Sequence, residues 1–64
     1  MTARLILRNQ VYEVPVEIPL SQALSMVSIA PESVLAIRSG QLITEDTILY
    51  DGDLIRLEYV ISGG

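Results

Sequence analysis

The chain has 64 residues, half of them apolar, with four Arg, no Lys, no Cys, no His and a net charge of −4 at pH 7. That length allows one small core. Without Cys no disulfide can form, and without Cys or His the chain lacks the ligands of iron–sulfur clusters and of the usual zinc sites. The acidic balance argues against direct binding to nucleic acid or to an anionic membrane surface, because both require a basic face.

No targeting or spanning segment is predicted. Met1–Ile6 lacks the long apolar centre of a signal peptide, and no apolar run approaches the roughly 20 residues that cross a bilayer. We therefore expect a cytoplasmic protein, monomeric by itself, with no metal or cofactor of its own.

Two strands open the predicted fold. Along Ala3–Arg8 the mostly apolar positions 3, 5 and 7 share one face, and Tyr12–Ile18 alternates in the same way, which is the period of a half-buried strand. Asn9 and Gln10 separate the runs and predict a hairpin, since Asn tolerates the positive φ of a tight turn. Because Pro15 cannot donate to a neighbour, the second strand should lie at a sheet edge.

A short amphipathic helix is predicted next. Between Pro19 and Pro31 the apolar residues follow helical spacing. The pattern predicts a helix from about Gln22 to Ser28, capped by Ser21, with Leu24 as its most buried residue.

The second half repeats the hairpin. Val34–Arg38 is typical of an interior strand, and Ser39 with Gly40 predicts a turn into the partner strand Gln41–Ile43. Ile48 and Leu49 are expected to pack inward as a small apolar plug.

The final strand is predicted over Leu54–Ile61. The acidic turn Asp51–Asp53 precedes it, and this turn is too short a ligand series for an EF-hand calcium site. Ile55, Leu57, Tyr59 and Ile61 should face the core.

The last three residues, Ser62, Gly63 and Gly64, follow this strand without a linker. A glycine pair is costly to order and easily threaded through a narrow space. A frayed end is the plain alternative. The rigid strand before it favours a functional tail, so we predict a domain over residues 1–61 and a flexible tail over 62–64.

These features resemble the ThiS and MoaD sulfur carriers, which are relatives of ubiquitin. The most specific segments are Val34–Gly40, Thr44–Asp46, Asp51–Asp53 and Ile61–Gly64. Ile-Ser-Gly-Gly and the length are closest to ThiS and to bacterial carriers for tRNA 2-thiolation. The resemblance implies an α+β, ubiquitin-like β-grasp fold, with a mixed sheet of four to five strands packed on one short helix.

The resemblance also implies a chemistry. A ThiF/MoeB-like enzyme would use ATP and Mg to adenylate the carboxylate of Gly64, and a persulfide protein would convert it to a thiocarboxylate. Ser62 and Gly63 would occupy the enzyme's channel. A downstream synthase would accept the sulfur for thiamine thiazole, tRNA 2-thiouridine or molybdopterin. The chain would thus be a co-substrate and not an enzyme.

A partner surface and two other functions complete the predictions. The outward residues of the central strands are expected to form an apolar patch with charged neighbours: Ile6, Leu54, Arg56, Glu58 and Val60. The first alternative is a ubiquitin-like modifier joined through Gly64 to lysines of other proteins. The second is a non-catalytic β-grasp interaction module.

Overall fold

A computed structural model describes residues 1–60 and places five strands in one mixed sheet beside one short α-helix. In chain order the elements are β1 (Ala3–Leu7), β2 (Gln10–Val14), α1 (Leu20–Met26), a 3₁₀ turn (Pro31–Ser33), β3 (Val34–Arg38), β4 (Gln41–Ile43) and β5 (Leu54–Tyr59). The strand order is β2-β1-β5-β3-β4. β1 and β5 are parallel, and the other neighbours are antiparallel. This arrangement confirms the predicted α+β fold of the β-grasp type.

The first hairpin is confirmed, but its two-residue turn lies one position earlier than predicted. Leu7 pairs with Gln10, so Arg8 and Asn9 form the turn. Positive φ falls on Arg8, at 55°, and not on Asn9. The predicted turn at Asn9 and Gln10 was therefore wrong by one residue, and an arginine occupies a conformation that normally favours glycine or asparagine.

β2 lies at a sheet edge, as predicted, and it is shorter than the alternating pattern suggested. The strand ends at Val14, directly before Pro15, and Glu17 has a φ of 63° that breaks the extended backbone. Val16 and Ile18 nevertheless pack against the core. The alternation thus marked the inward residues correctly beyond the end of the strand itself.

Helix α1 begins two residues earlier than predicted, and Ser21 does not cap it. The N-cap is Pro19, with no side-chain cap hydrogen bond. Instead the Leu20 N–H donates to the Thr47 carbonyl at 2.8 Å, and the Ser21 N–H donates to the Glu45 carbonyl at 2.9 Å. A distant loop therefore satisfies the free donors of the first turn, which replaces a local cap.

The carboxyl end of α1 is a Schellman motif. Ser28 has a φ of 63°, its N–H donates to the Ser25 carbonyl, and the Ile29 N–H donates to the Leu24 carbonyl. Ile29 also packs against the core. This end of the helix is thus fixed by backbone geometry that usually uses glycine, here with a serine.

The core lies between α1 and the inner face of the sheet. Within residues 1–60 its twelve buried apolar residues are Ala3, Leu5, Leu7, Val14, Leu20, Ala23, Leu24, Val34, Ala36, Leu49, Ile55 and Leu57. Leu24 is 1% exposed, so its burial is confirmed, although Ala23 at 0% is the most buried residue of α1. Leu49 is fully buried, but Ile48 is 38% exposed, so only half of the predicted plug packs inward. Tyr59 is also half exposed.

The turns of the second half follow the sequence closely. Ser39 and Gly40, at φ 54° and 78°, join β3 to β4, which matches the type I′ requirement for two positive φ values. Gly52 has a φ of 85° in the acidic turn before β5. There the Asp53 carboxylate accepts from the Arg38 guanidinium at 3.0 Å and from the Tyr50 N–H at 2.9 Å. The acidic turn is thereby tied to the end of β3.

No helix in residues 1–60 is long and apolar enough to cross a membrane.

Candidate functional site

The predicted reactive residues Ser62, Gly63 and Gly64 lie outside the described residues, as does Ile61. The structure does describe the strand from which the chain enters that segment. β5 pairs with β1 on one side and β3 on the other, and the Val60 N–H donates to the Ser33 carbonyl at 2.9 Å. Backbone hydrogen bonds therefore hold the chain in place up to Val60.

The face of the sheet opposite α1, called here the outer face, carries most of the predicted partner surface. Leu54, Arg56 and Glu58 are exposed there at alternate positions of β5, and Ile6 of β1 is half-buried. Val60 is 43% exposed just past the end of β5. The five predicted residues thus lie on or beside one accessible surface.

The outer face is more apolar than the prediction stated. Register places one row of residues directly across all five strands, with apolar side chains on either side of a single arginine. From edge to edge the row is Val11, Ile6, Arg56, Ile37 and Leu42. Val11 and Leu42 are 58% and 67% exposed, so the apolar row reaches both edges of the sheet.

Sequence reasoning missed four members of this face: Val11, Leu35, Ile37 and Leu42. Val34–Arg38 contains four apolar residues in succession, so it has no polar face from which to infer direction. The sequence signal that could have placed Ile37 and Leu42 on this face is the Ser39-Gly40 turn. A two-residue turn fixes the register of β3 on β4 and so places Ile37 opposite Leu42.

Two ion pairs border the apolar row. The Arg4 Nε lies 3.8 Å from a Glu13 carboxylate oxygen, and the Arg56 Nε lies 2.9 Å from a Glu58 oxygen. All four side chains are about half exposed or more, so each pair contributes little to stability. Their effect is to balance charge on the outer face, which leaves shape and apolar contact to dominate there.

The side chains of residues 1–60 offer little reactive chemistry. No group of three His, Cys, Asp or Glu side chains in this part of the chain is placed to hold a metal ion. Among the acidic residues between β4 and β5, Asp53 is held by Arg38, and Asp51 accepts from the Thr2 N–H at 3.2 Å. These two carboxylates therefore have structural partners, whereas Glu45 and Asp46 are exposed.

Fold and surface together define an α+β domain of the β-grasp type, with an apolar row across its outer face. Comparison with protein-family models and with curated proteins gives no match for the chain.

Proposed function

We propose that the protein is a sulfur carrier of the ThiS and MoaD type, in which Gly64 bears the reactive carboxylate. The observation that carries the proposal is the direct passage from a central strand into a Ser-Gly-Gly segment. β5 is paired on both sides, and backbone pairing continues to Val60. Such a strand fixes the base of the segment, and correct positioning is what a carrier contributes to catalysis.

The chemistry resides in the partners and in the carboxylate. In the proposed reaction a carboxylate oxygen of Gly64 attacks the α-phosphate of ATP, and pyrophosphate leaves with Mg²⁺ as its counter-ion. A persulfide sulfur of a second protein then attacks the acyl carbon and displaces AMP. A thiol then attacks the partner's sulfur in this acyl disulfide, which releases the thiocarboxylate and leaves a disulfide between the thiol and the partner. The mixed anhydride is needed because a free carboxylate is a poor acyl donor.

Each part of the chain has its own task in this scheme. Gly63 lets the backbone pass a narrow channel, and Ser62 is the last residue with a side chain for the enzyme to hold. The outer face provides the docking surface for a ThiF/MoeB-like enzyme and, after charging, for the synthase that accepts the sulfur. We place these steps in the cytoplasm because the activation consumes ATP.

The test is intact-mass measurement of the protein recovered from its own cells without alkylation. We expect a fraction of the chain to carry sulfur in place of one oxygen at its carboxyl end. Gly63→Leu should abolish that fraction, because the side chain blocks the channel. Glu32→Ala, which changes an exposed residue of the 3₁₀ turn, should keep it. Both variants should unfold at the wild-type urea midpoint, because the buried core of residues 1–60 is unchanged in each.

Three results would count against the proposal. Charging of Gly63→Leu at the wild-type level would remove the role of the tail. Heavier adducts branched through Gly-Gly on lysines would identify the protein modifier instead. An unaltered carboxyl end in every fraction would favour the interaction module, for which the apolar row of the outer face is the supporting feature.

A further inference from the structure

Arg8 stands out among the charged residues because its backbone is strained and its side chain is stacked. Its φ of 55° costs an arginine on the order of 1 kcal/mol relative to an ordinary conformation. The guanidinium carbon lies 5.2 Å from the centroid of the Tyr59 ring, within the range of a cation–π contact. Two residues about fifty positions apart are thereby joined at the carboxyl ends of β1 and β5.

The donors of Arg8 have no anionic partner within residues 1–60. The other three arginines each have one: Arg4 with Glu13, Arg38 with Asp53 and Arg56 with Glu58. A guanidinium has five N–H donors, and a cation–π contact does not pair them with an anion. As far as residues 1–60 show, the donors of Arg8 therefore remain available to a planar oxyanion, with the Tyr59 ring packed beside them.

The surroundings of Arg8 favour one carboxylate over a phosphate. An open groove of about 350 Å³ runs past Arg8 and is also lined by Ile6, Arg56, Glu58 and Tyr59. Two positive and one negative side chain leave this groove with a net charge of one positive. A single carboxylate matches that charge, whereas a phosphate dianion would face Glu58 with an excess of negative charge.

We propose that Arg8, stacked on Tyr59, binds a single carboxylate on an extended segment of a partner protein. An aliphatic side chain beside that carboxylate would pack on Ile6 at the apolar end of the groove. The site consists of described residues and requires no reaction at the carboxyl end. It therefore stands or falls independently of the sulfur-carrier proposal.

Amide chemical shifts of the full ¹⁵N-labelled chain provide the test. The probe is a capped pentapeptide with a central glutamate between leucines, and its control is the same peptide with glutamine. The glutamate peptide should shift the amides of residues 6–9 and 56–59 and bind roughly three- to fivefold more tightly than the control, the upper range for an exposed ion pair.

Two variants separate recognition from folding. Arg8→Asn removes the guanidinium but suits the positive φ, so it should keep or raise the urea midpoint while losing the preference for glutamate. Arg4→Asn removes an arginine elsewhere on the sheet and should leave that preference unchanged.

Three results would overturn the Arg8 site or its assignment to a carboxylate. Equal binding of both peptides, or an Arg8→Asn variant that keeps the preference, would overturn the site. Inorganic phosphate that shifts the same amides at lower concentration than the glutamate peptide would overturn the assignment to a carboxylate.

Discussion

Replacing Leu24 with alanine is expected to remove a large share of the stability of this fold. Leu24 is 1% exposed and packs between α1 and the sheet. Its backbone carbonyl accepts the N–H of Ile29 in the Schellman motif. Buried Leu→Ala changes cost about 2 to 5 kcal/mol, through lost transfer energy and the cavity left behind. Small proteins have a free energy of unfolding of about 0.05 to 0.15 kcal/mol per residue, so a chain of 64 residues has a total of only about 3 to 10 kcal/mol.

Urea and thermal unfolding followed by far-UV circular dichroism measure this loss. Since 1 kcal/mol moves the melting temperature of a small domain by roughly 4 to 8 °C, Leu24→Ala should lower it by roughly 8 °C or more. The matched control is Met26→Ala in the same helix. Met26 is 57% exposed, so its removal should change the free energy of unfolding by no more than about 0.5 kcal/mol.

If the two variants unfolded at similar urea concentrations, a large contribution of the Leu24 side chain to the free energy of unfolding would be refuted. That result would mean that the contact between α1 and the sheet contributes little, or that the core closes around the missing atoms. A change in the slope of the urea transition would be a different finding, since the slope reports the surface exposed on unfolding.

Three further substitutions test backbone and ion-pair features. Ser28→Gly should raise the free energy of unfolding by up to about 1 kcal/mol, because glycine adopts the positive φ without strain. Ser25→Gly inside the helix should lower it by about 0.5 to 1 kcal/mol. If both variants lost the same free energy of unfolding, the Schellman motif would be contradicted. Gly40→Ala should cost about 1 to 2 kcal/mol in urea unfolding from its φ of 78° alone, because no atom lies within 4 Å of the added carbon, and an unchanged midpoint would argue against the type I′ turn. Asp53→Ala should cost about 1 to 3 kcal/mol in the same assay, because an arginine and a backbone N–H lose their acceptor, and the exposed Asp46→Ala should stay within about 0.5 kcal/mol; similar losses for both would rule out a structural role for the carboxylate.

Much of the fold follows from local pattern. Alternation marked the buried faces of β1 and β5, and Pro15 marked the edge strand, because these signals depend on residues close together in the chain. Ser39 with Gly40 marked the second turn for the same reason. The order of strands does not follow from local pattern, since spacing does not specify which strands become neighbours.

Two of the errors share a physical cause, which is contact between residues that are distant in the chain. The early start of α1 depends on carbonyls of Glu45 and Thr47, more than twenty residues away. The positive φ of Arg8 is accompanied by the ring of Tyr59 and has no signal in the adjacent sequence. The apolar row on the outer face was only partly visible, because β3 is apolar on both sides. At the candidate site, the predicted exposed positions of β5 could be assigned because that strand alternates clearly.

The parallel pairing of β1 with β5 has a mechanical consequence. A force that draws Val60 outward along β5 while Ala3 is held slides the two strands past each other, so all the hydrogen bonds between them are loaded together. Antiparallel terminal strands would instead separate one bond at a time from the end. The centre of the sheet should therefore resist a pulling force along the chain, because all the β1–β5 hydrogen bonds must break at the same time.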